Sequence, residues 1–447
     1  MDTPICDFVR QYNACSPVRL HMPGHKGAPG LGAEALDITE IPGADVLYHG
    51  SGVIRKSEEN AAALFGTAKT LYSTEGSSLC IRAMLYLALL HARSTGRRPL
   101  VAAGRNAHQV FLTAAALLDL DVLWLFSDQA EQSAVSCTIT PQALEAALCA
   151  APEKPAAVYL TCPDYLGNLY DIAALAAVCH RHGALVLVDN AHGAYLKFLT
   201  PSRHPIDLGA DLCCDSAHKT LSVLTGGAYL HLSPGAPEAL RGWMESAMQL
   251  FASTSPSYLI LQSLDLANRH LASDYPARLR DAAARVAALR AALAREGWTT
   301  AGNEALKLTL LPKARGYTGA QVAAMLEQQR IFCEFSDPDS LVMMFSAEST
   351  EADCAYLHAQ LAAIAPRAPI SGGPPSLGRP TRVLSPRAAM LAPSEDLPVS
   401  EGLGRILAAP GVSCPPAVPI LICGERIDEA AQRLFVYYGV ETCRVVK

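Results

Sequence analysis

The chain has 447 residues, half of them hydrophobic, and a formal net charge of −6. This length and apolar content allow a large core and two or three lobes, so the chain is not a small module. The negative charge gives no general attraction to nucleic acid or to anionic membranes, and we predict neither as a partner.

The N-terminal sequence, the hydropathy and the cysteines indicate where the protein is located and whether it binds a metal. The N-terminal sequence MDTPICDFVRQYN has neither the basic start nor the apolar stretch of an export signal. No window reaches the roughly eighteen continuous apolar residues that a membrane-spanning helix needs. The 14 cysteines are scattered without a C-x-x-C pair, which favours buried, reduced thiols over disulfides or a metal site. We therefore predict a soluble cytoplasmic protein without a bound metal.

The first hundred residues contain an anion-binding pattern. Residues 2–13 predict a short amphipathic helix that leads into the loop HMPGHKG, and residues 57–65 predict a helix that begins at Ser57. A strand at 70–73, the segment TEGSS and a helix at 78–92 then follow. A glycine turn at the start of a helix directs unpaired N–H groups at an anion. Ser77 and Ser78 are therefore candidate phosphate-binding residues, although small residues also begin many helices that bind no ligand.

Strand-like runs then alternate with helix-length segments rich in Ala and Leu. This alternation predicts an α/β fold with a mostly parallel sheet, whose ligands lie beyond the carboxyl ends of the strands. The predicted strands are 99–103, 121–126, 156–161, 184–188, 210–214 and 227–232. The polar motifs TEGSS, RNAH, CPDYLG, DNAH and SAHK all follow predicted strands.

The C-terminal part predicts a smaller lobe. Residues 256–297 are helical in period and predict a connecting helix, and a compact αβ pattern begins near Lys307. The Pro/Gly-rich stretch 366–381 predicts an extended connection. We predict an N-terminal arm with a large cofactor-binding domain at 1–285, a small αβ domain at 286–365, and the connection with a C-terminal segment at 366–447.

The stretch from Leu185 to Tyr229 carries the predicted chemistry. A buried-strand pattern ends on Asp189, and a second apolar run leads to Ser216, His218 and Lys219. Burial would lower the pKa of the Lys219 amine, and a neutral amine forms a Schiff base with an aldehyde. An acid at a neighbouring strand end would hold a pyridine nitrogen protonated. An acid after a strand is more often a cap and a lone lysine is usually solvated, but the combination indicates pyridoxal 5′-phosphate (PLP).

Several motifs in chain order carry a resemblance to a known family. The chain resembles the bacterial ornithine/lysine/arginine decarboxylases, which are fold type I PLP-dependent enzymes with an aminotransferase-like large domain. The matching segments are HMPGHKG, PGADVLYHGSGVI, TEGSS, RNAH, CPDYLG, DNAHGAY, SAHKT and PPAVPILICGERI. They extend from about residue 20 to about residue 430.

The resemblance implies a role for each matching residue. Lys219 would hold PLP as a Schiff base, and Asp189 would pair with the pyridine nitrogen. His108 would stack on one face of the ring, Ala191 would pack against the other, and His192 would touch the cofactor or substrate. Ser77, Ser78, Ser216 and His218 would hold the phosphate, and Glu425 would meet the basic side chain of the substrate. Either His108 or Lys219 would return the proton to the product.

The resemblance also implies an activity, with alternatives. We expect an enzyme of polyamine biosynthesis whose substrate is a small molecule. It would decarboxylate arginine in preference to lysine or ornithine. The sequence begins at the PLP core without the N-terminal wing of larger members, so we expect a homodimer, or a tetramer at most. Gln109, Ala409 and Cys414 depart from the family pattern. An aminotransferase or lyase on the same fold, and a PLP-binding protein without catalysis, are therefore alternative predictions.

Overall fold

The computed structural model describes residues 1–127, 135–409, 411–414 (backbone only) and 418–447. These residues form two compact units, of which the first consists of residues 1–97 and 172–277 and the second of residues 98–171 and 278–447. The predicted domain limits at residues 285 and 365 stay a prediction. No helix within the described ranges combines the length and the apolar character that crossing a membrane requires.

The described elements alternate along the chain as the sequence predicts. The helices are α1 (Pro4–Ala14), α2 (Val53–Phe65), α3 (Gly76–Ser94), α4 (Gln109–Leu117), α5 (Pro141–Ala150), α6 (Ile172–Arg181), α7 (Ala217–Thr220), α8 (Glu238–Gln249), α9 (Tyr258–Leu271), α10 (Tyr275–Arg295), α11 (Gly319–Gln328), α12 (Glu351–Ala362), α13 (Pro386–Leu391) and α14 (Glu429–Tyr437). The strands are β1 (Lys69–Ser73), β2 (Leu100–Gly104), β3 (Asp121–Leu125), β4 (Ala157–Thr161), β5 (Leu185–Asp189), β6 (Leu212–Asp215), β7 (Ala228–Leu232), β8 (Thr300–Ala301), β9 (Lys307–Leu310), β10 (Phe335–Ser336), β11 (Leu341–Met344), β12 (Ser394–Pro398), β13 (Gly411–Cys414), β14 (Val418–Ile422) and β15 (Thr442–Val446).

Three of the four paired strands in the first unit end at one edge of the sheet. β5 pairs in parallel with β6, β6 is antiparallel to β7, and β7 is antiparallel to β1. Two reversals give β1 the same direction as β5 and β6, so the carboxyl ends of all three lie at the same edge. The strands β5, β6 and β7 are buried throughout, and α3 packs against them. The segments TEGSS, DNAH and SAHK therefore share this edge.

The second unit contains a further set of parallel strands and smaller antiparallel sheets. β2 pairs in parallel with both β3 and β4. The strands β8 to β11 form an antiparallel sheet in the order β10-β11-β9-β8, and β12 with β15 and β13 with β14 form two-stranded pairs. Since β5–β6, β2–β3 and β2–β4 are all parallel, the predicted α/β class with mostly parallel strands is confirmed.

Two predicted helix boundaries are wrong. α2 begins at Val53, four residues before Ser57, because the carboxylate of Asp45 accepts hydrogen bonds from the backbone N–H groups of Gly52 (2.9 Å) and Ile54 (3.0 Å). Ser57 is fully buried inside the helix instead. The stretch 256–297 forms the two helices α9 and α10, because Pro276 near the start of α10 has no N–H group to continue a preceding helix.

The N-terminal helix is held by one buried acid. Asp265 of α9 is fully buried, and its Oδ2 accepts hydrogen bonds from the backbone N–H groups of Ile5 and Cys6, each at 3.0 Å. Its Oδ1 accepts a hydrogen bond of 2.6 Å from the Ser57 hydroxyl. Asp265 therefore caps α1 and joins it to α2 and α9.

Replacing this acid should destabilise the first unit. We expect Asp265→Ala to lower the free energy of unfolding by about 2–4 kcal/mol, because three buried donors lose their acceptor. The measurement is chemical denaturation of the full-length chain. The matched control is Asp7→Ala, since Asp7 lies half-exposed on α1 and pairs with Arg10, and a surface pair contributes at most about 1 kcal/mol. Equal losses in the two variants would contradict the assigned role of Asp265.

Candidate active site

Asp189 lies at the end of β5 and is almost fully buried. Only 3% of its surface is exposed, and in the strand register it lies opposite Cys214 of β6. Its Oδ1 accepts hydrogen bonds from the backbone N–H of Ala191 (3.2 Å) and from the thiol of Cys214 (3.7 Å). These contacts fix the orientation of the carboxylate at the strand end, as pairing with a ligand nitrogen requires.

Lys219 follows the neighbouring strand and contacts a histidine. It lies in α7, the single turn after β6, and its side chain is half-buried. Its Nζ is 3.1 Å from Nε2 of His192, of which only 5% is exposed. The sequence predicts that His192 touches the cofactor or substrate but gives no sign of this contact. Here the imidazole can exchange a proton with the amine.

The predicted phosphate residues meet between two segments. The hydroxyl groups of Ser216 and Ser77 are 2.8 Å apart, and Ser78 follows Ser77 in the first turn of α3. The backbone N–H of Gly76 donates to the carbonyl of Gly226 at 2.7 Å. Gly226 has φ +100°, and a Cβ there would lie 2.8 Å from the Thr74 carbonyl, so only glycine permits this approach. The hydroxyl pair therefore sits at a helix N-terminus, which favours an anion.

His218 completes this group of residues. Its Nδ1 donates to the carbonyl of Gly227 at 2.9 Å, which leaves Nε2 on the other side of the ring. Burial lowers the pKa of the His218 imidazole, and the charge of Lys219 lowers it further, while the hydrogen bond to Gly227 opposes both. His218 is therefore neutral at physiological pH, and Nε2 can accept a hydrogen bond but does not contribute a full charge.

The composition of this edge fits PLP. A half-buried primary amine can bind an aldehyde covalently, a buried carboxylate can pair with a pyridinium nitrogen, and serine hydroxyl groups at a helix N-terminus can bind a phosphate. The first unit supplies all three functions, through Lys219, Asp189 and the Ser77–Ser216 pair. Ala191, which is buried and follows Asp189 closely, has the small side chain that the predicted contact with a ring face requires.

His108 belongs to the second unit and caps a helix. It precedes α4, and its Nδ1 accepts a hydrogen bond of 3.2 Å from the backbone N–H of Val110. In the neutral ring, the proton therefore lies on Nε2, and the side chain is half-buried. The cap orients the imidazole, and the predicted stacking on the cofactor remains a proposal.

Glu425, also in the second unit, forms a bidentate ion pair. Arg105 donates to both carboxylate oxygens at 2.9 and 3.2 Å, and the backbone N–H of Ile422 donates to one of them at 2.9 Å. The Arg105 guanidinium carbon lies 5.4 Å from the ring centre of Trp124 and 5.7 Å from that of Phe126. Glu425 is only 4% exposed, whereas the sequence offered an exposed acid as the alternative. This pair was not predicted from the sequence.

Part of the predicted C-terminal motif is not described. Residues 415–417, which begin PPAVPILICGERI, lie outside the described residues, and so does the side chain of Cys414. The departures from the family pattern at Ala409 and Cys414 therefore remain sequence observations.

Comparison with known proteins identifies the family. A family model described as the major domain of Orn/Lys/Arg decarboxylases matches residues 3–307. The chain belongs to the Orn/Lys/Arg decarboxylase family. An arginine decarboxylase of Halalkalibacterium halodurans is 29% identical over 466 residues, which cover 96% of this chain and 91% of the relative. An arginine decarboxylase of Bacillus subtilis is 27% identical and covers 96% and 92%.

Solved structures agree on the fold. The lysine decarboxylase LdcF of Francisella novicida matches with a TM-score of 0.80 at 15% identity, covering 100% of this chain and 81% of that one. A serine palmitoyltransferase structure with PLP matches with a TM-score of 0.54 and covers 72% of this chain. The chain therefore has the fold of type I PLP enzymes. As a member of the Orn/Lys/Arg decarboxylase family, it is a PLP-dependent decarboxylase of basic amino acids.

Proposed function

We propose that this protein decarboxylates arginine, releasing CO2 and the corresponding amine. The observation that carries the proposal is the cluster at one edge of the first unit, where the Lys219 amine, the buried Asp189 carboxylate and the Ser77–Ser216 pair occur together. The choice of arginine is supported by relatives named arginine decarboxylase that match almost the whole chain.

Each residue of the site has a defined task in this proposal. PLP, when bound, supplies an electron sink for the pair left by the broken carbon–carboxylate bond. The Lys219 amine holds the cofactor, and Asp189 keeps the pyridine nitrogen protonated. Nε2 of His192 accepts a proton from Nζ of Lys219 or donates one to it. His108 stacks on the ring, and either His108 or Lys219 returns the proton to the product carbon.

The remaining residues bind and orient. Ser77, Ser78, Ser216 and His218 hold the phosphate, and Ala191 packs against the ring face opposite His108. Glu425 is proposed to meet the basic end of the substrate. Arg105 and the backbone N–H of Ile422 occupy both of its oxygens, so this role requires the substrate guanidinium to take the place of Arg105.

The assembly is proposed to be a cytoplasmic homodimer that serves polyamine biosynthesis. Support for the dimer comes from large apolar side chains exposed on the segment after α1: Val18 is 84% exposed, Leu20 90% and Leu31 98%. All three lie within one short segment of the chain, and burial of such apolar side chains against a partner subunit would be favourable.

A substrate panel tests the proposed activity. We expect release of CO2 from arginine with a kcat/KM at least about tenfold above that for lysine or ornithine, because a guanidinium binds a carboxylate through two hydrogen bonds and an ammonium does not. The measurement is CO2 release from each amino acid by the purified protein. A faster reaction with lysine or ornithine would overturn the choice of arginine. Keto-acid formation without CO2 would instead indicate transamination, and bound PLP without turnover would indicate a non-catalytic protein.

The phosphate residues can be tested separately. Since the hydroxyl groups of Ser77 and Ser216 are within hydrogen-bond distance, we expect Ser77→Ala and Ser216→Ala each to raise the dissociation constant of PLP by about tenfold, roughly the effect of one hydrogen bond to a charged group. The measurement is equilibrium dialysis of PLP with the full-length variants. Ser94→Ala at the other end of α3 is the matched control, and equal affinities in all variants would contradict the assignment.

A further inference from the structure

A closed polar cluster lies behind the strand ends of the first unit. Asp215, the last residue of β6, is fully buried, and so are His204 and His231 beside it. Oδ2 of Asp215 is 3.0 Å from Nε2 of His204 and 3.3 Å from Nε2 of His231. A fully buried carboxylate is stable only when such partners satisfy it.

The second oxygen of Asp215 connects the cluster to the PLP site. Oδ1 accepts a hydrogen bond of 2.7 Å from Nδ2 of Asn190. Asn190 is fully buried and lies in the turn between Asp189 and His192, and its own Oδ1 has no hydrogen-bond partner in the described part of the chain. The orientation of its amide is therefore set by Asp215.

The two histidines beside Asp215 keep its carboxyl group ionised. Burial alone would raise the pKa of the Asp215 carboxyl, but His204 and His231 outweigh it and hold that pKa well below its usual range. Burial lowers the pKa of the His231 imidazole. Asp215 is therefore ionised, and it accepts hydrogen bonds from Asn190 and His204.

The same three side chains also have the composition of a metal site, but the proton positions oppose this reading. Nδ1 of His204 accepts a hydrogen bond of 3.4 Å from the backbone N–H of Ile206, which places the ring proton on Nε2. An Nε2–H donates to Asp215 and has no lone pair for a metal ion. Nδ1 of His231 is 2.8 Å from the Thr70 hydroxyl, so this ring is also positioned by the protein.

We propose that Asp215 is a positioning residue that ties the Asp189–His192 turn to the strand end carrying Ser216 and Lys219. The connection is the hydrogen bond from the Asn190 amide, in the turn, to the Asp215 carboxylate. The backbone of Asp215 continues directly into Ser216. This connection holds three groups at fixed distances from one another: the Asp189 carboxylate, the Lys219 amine and the Ser216 hydroxyl. This inference rests on the proposed function, because it concerns binding of PLP.

Asparagine cannot replace Asp215 in this role. Both carboxylate oxygens accept, one from Asn190 and the other from His204. An asparagine side chain has one oxygen and one NH2 group, so in either orientation the NH2 group would meet a donor. The substitution keeps the size of the side chain and removes only its ability to accept twice.

The test compares PLP affinity with stability in full-length variants. We expect Asp215→Asn to raise the dissociation constant of PLP by about tenfold or more, the size typical of residues that orient a ligand contact. Asn190→Ala should raise the dissociation constant equally. The double variant should bind PLP no more weakly than either single variant, because both substitutions remove the same hydrogen bond. Dissociation constants come from equilibrium dialysis, and stability comes from thermal unfolding without PLP.

Asp211→Asn is the matched control. Asp211 precedes β6 at the opposite end from Asp215, is also buried, and accepts a hydrogen bond of 2.7 Å from the backbone N–H of Val186. This variant should lower the thermal stability without changing the affinity for PLP. If Asp215→Asn does not fold, the PLP affinity of Asn190→Ala alone tests the proposal.

Three results would overturn the inference. They are an unchanged PLP affinity in Asn190→Ala, equal affinity losses in Asp215→Asn and Asp211→Asn, and a stoichiometric metal ion in the purified protein that is lost in His204→Gln. A wild-type chain that binds no PLP would instead overturn the proposed function itself.

Discussion

Lys219→Ala is expected to lower the rate of CO2 release by at least about a thousandfold, because the amine that holds PLP is lost and no other group takes its place. In the structure Nζ of Lys219 is in contact with His192 at one edge of the first unit. Treatment of the wild type with borohydride should fix PLP to a peptide containing Lys219, and mass spectrometry should find no such label in the variant.

A second lysine of the same unit provides the control for this substitution. Lys197 forms an ion pair with Asp207, with its Nζ 2.6 Å from the carboxylate. Lys197→Ala should keep wild-type turnover and the borohydride label. A label on any residue other than Lys219, or full activity in Lys219→Ala, would contradict the assigned role.

Asp189→Asn is expected to lower kcat by about a hundredfold or more, with a much smaller change in KM. The carboxylate stabilises positive charge on the ring nitrogen, and that charge is needed most when electrons enter the ring, so its loss affects the transition state more than substrate binding. The substitution keeps the size of the side chain and an acceptor oxygen for the Ala191 N–H. Steady-state kinetics and the absorption spectrum of bound PLP provide the measurements.

The control for this variant is Asp211→Asn. Both acids are buried, but Asp211 bonds to the backbone of Val186 near the start of β5, whereas Asp189 ends that strand. Asp211→Asn should leave kcat within about twofold of the wild type once stability is taken into account. Equal losses of kcat in the two variants would show that Asp189 acts through the fold alone.

The sequence could predict those parts of the protein that depend on local patterns. Buried strands such as β5 and β6 are short apolar runs, and the polar residues that end them, Asp189 and Asp215, are visible directly in the sequence. The limits of α3 were predicted within two residues, because a glycine turn and an apolar period mark them locally. The motifs then identified the cofactor.

Other features depend on residues that are far apart in the sequence. α2 begins at Val53 because Asp45, outside the helix, caps it. Asp265 caps α1 across about 260 residues of chain, a separation that the hydrogen bonds to Ile5 and Cys6 define. Neither acid carries a local signal, since a carboxylate in a loop or helix is usually solvated.

The sequence by itself determined the α/β class, through the alternation of strand and helix patterns, and the PLP chemistry, through the family motifs. It also predicted the roles of Lys219 and Asp189, from residue types at strand ends. Only the tertiary structure decided that His192 contacts Lys219, that Ser77 meets Ser216 and that Asp215 holds Asn190. Strand order and direction set these contacts. β7 lies between β6 and β1 in the sheet and is antiparallel to both, so β1 and β6 point the same way and TEGSS lies at the edge occupied by SAHK. A hydrogen bond needs partners within about 3 Å, and local sequence patterns do not specify distances between separate strands.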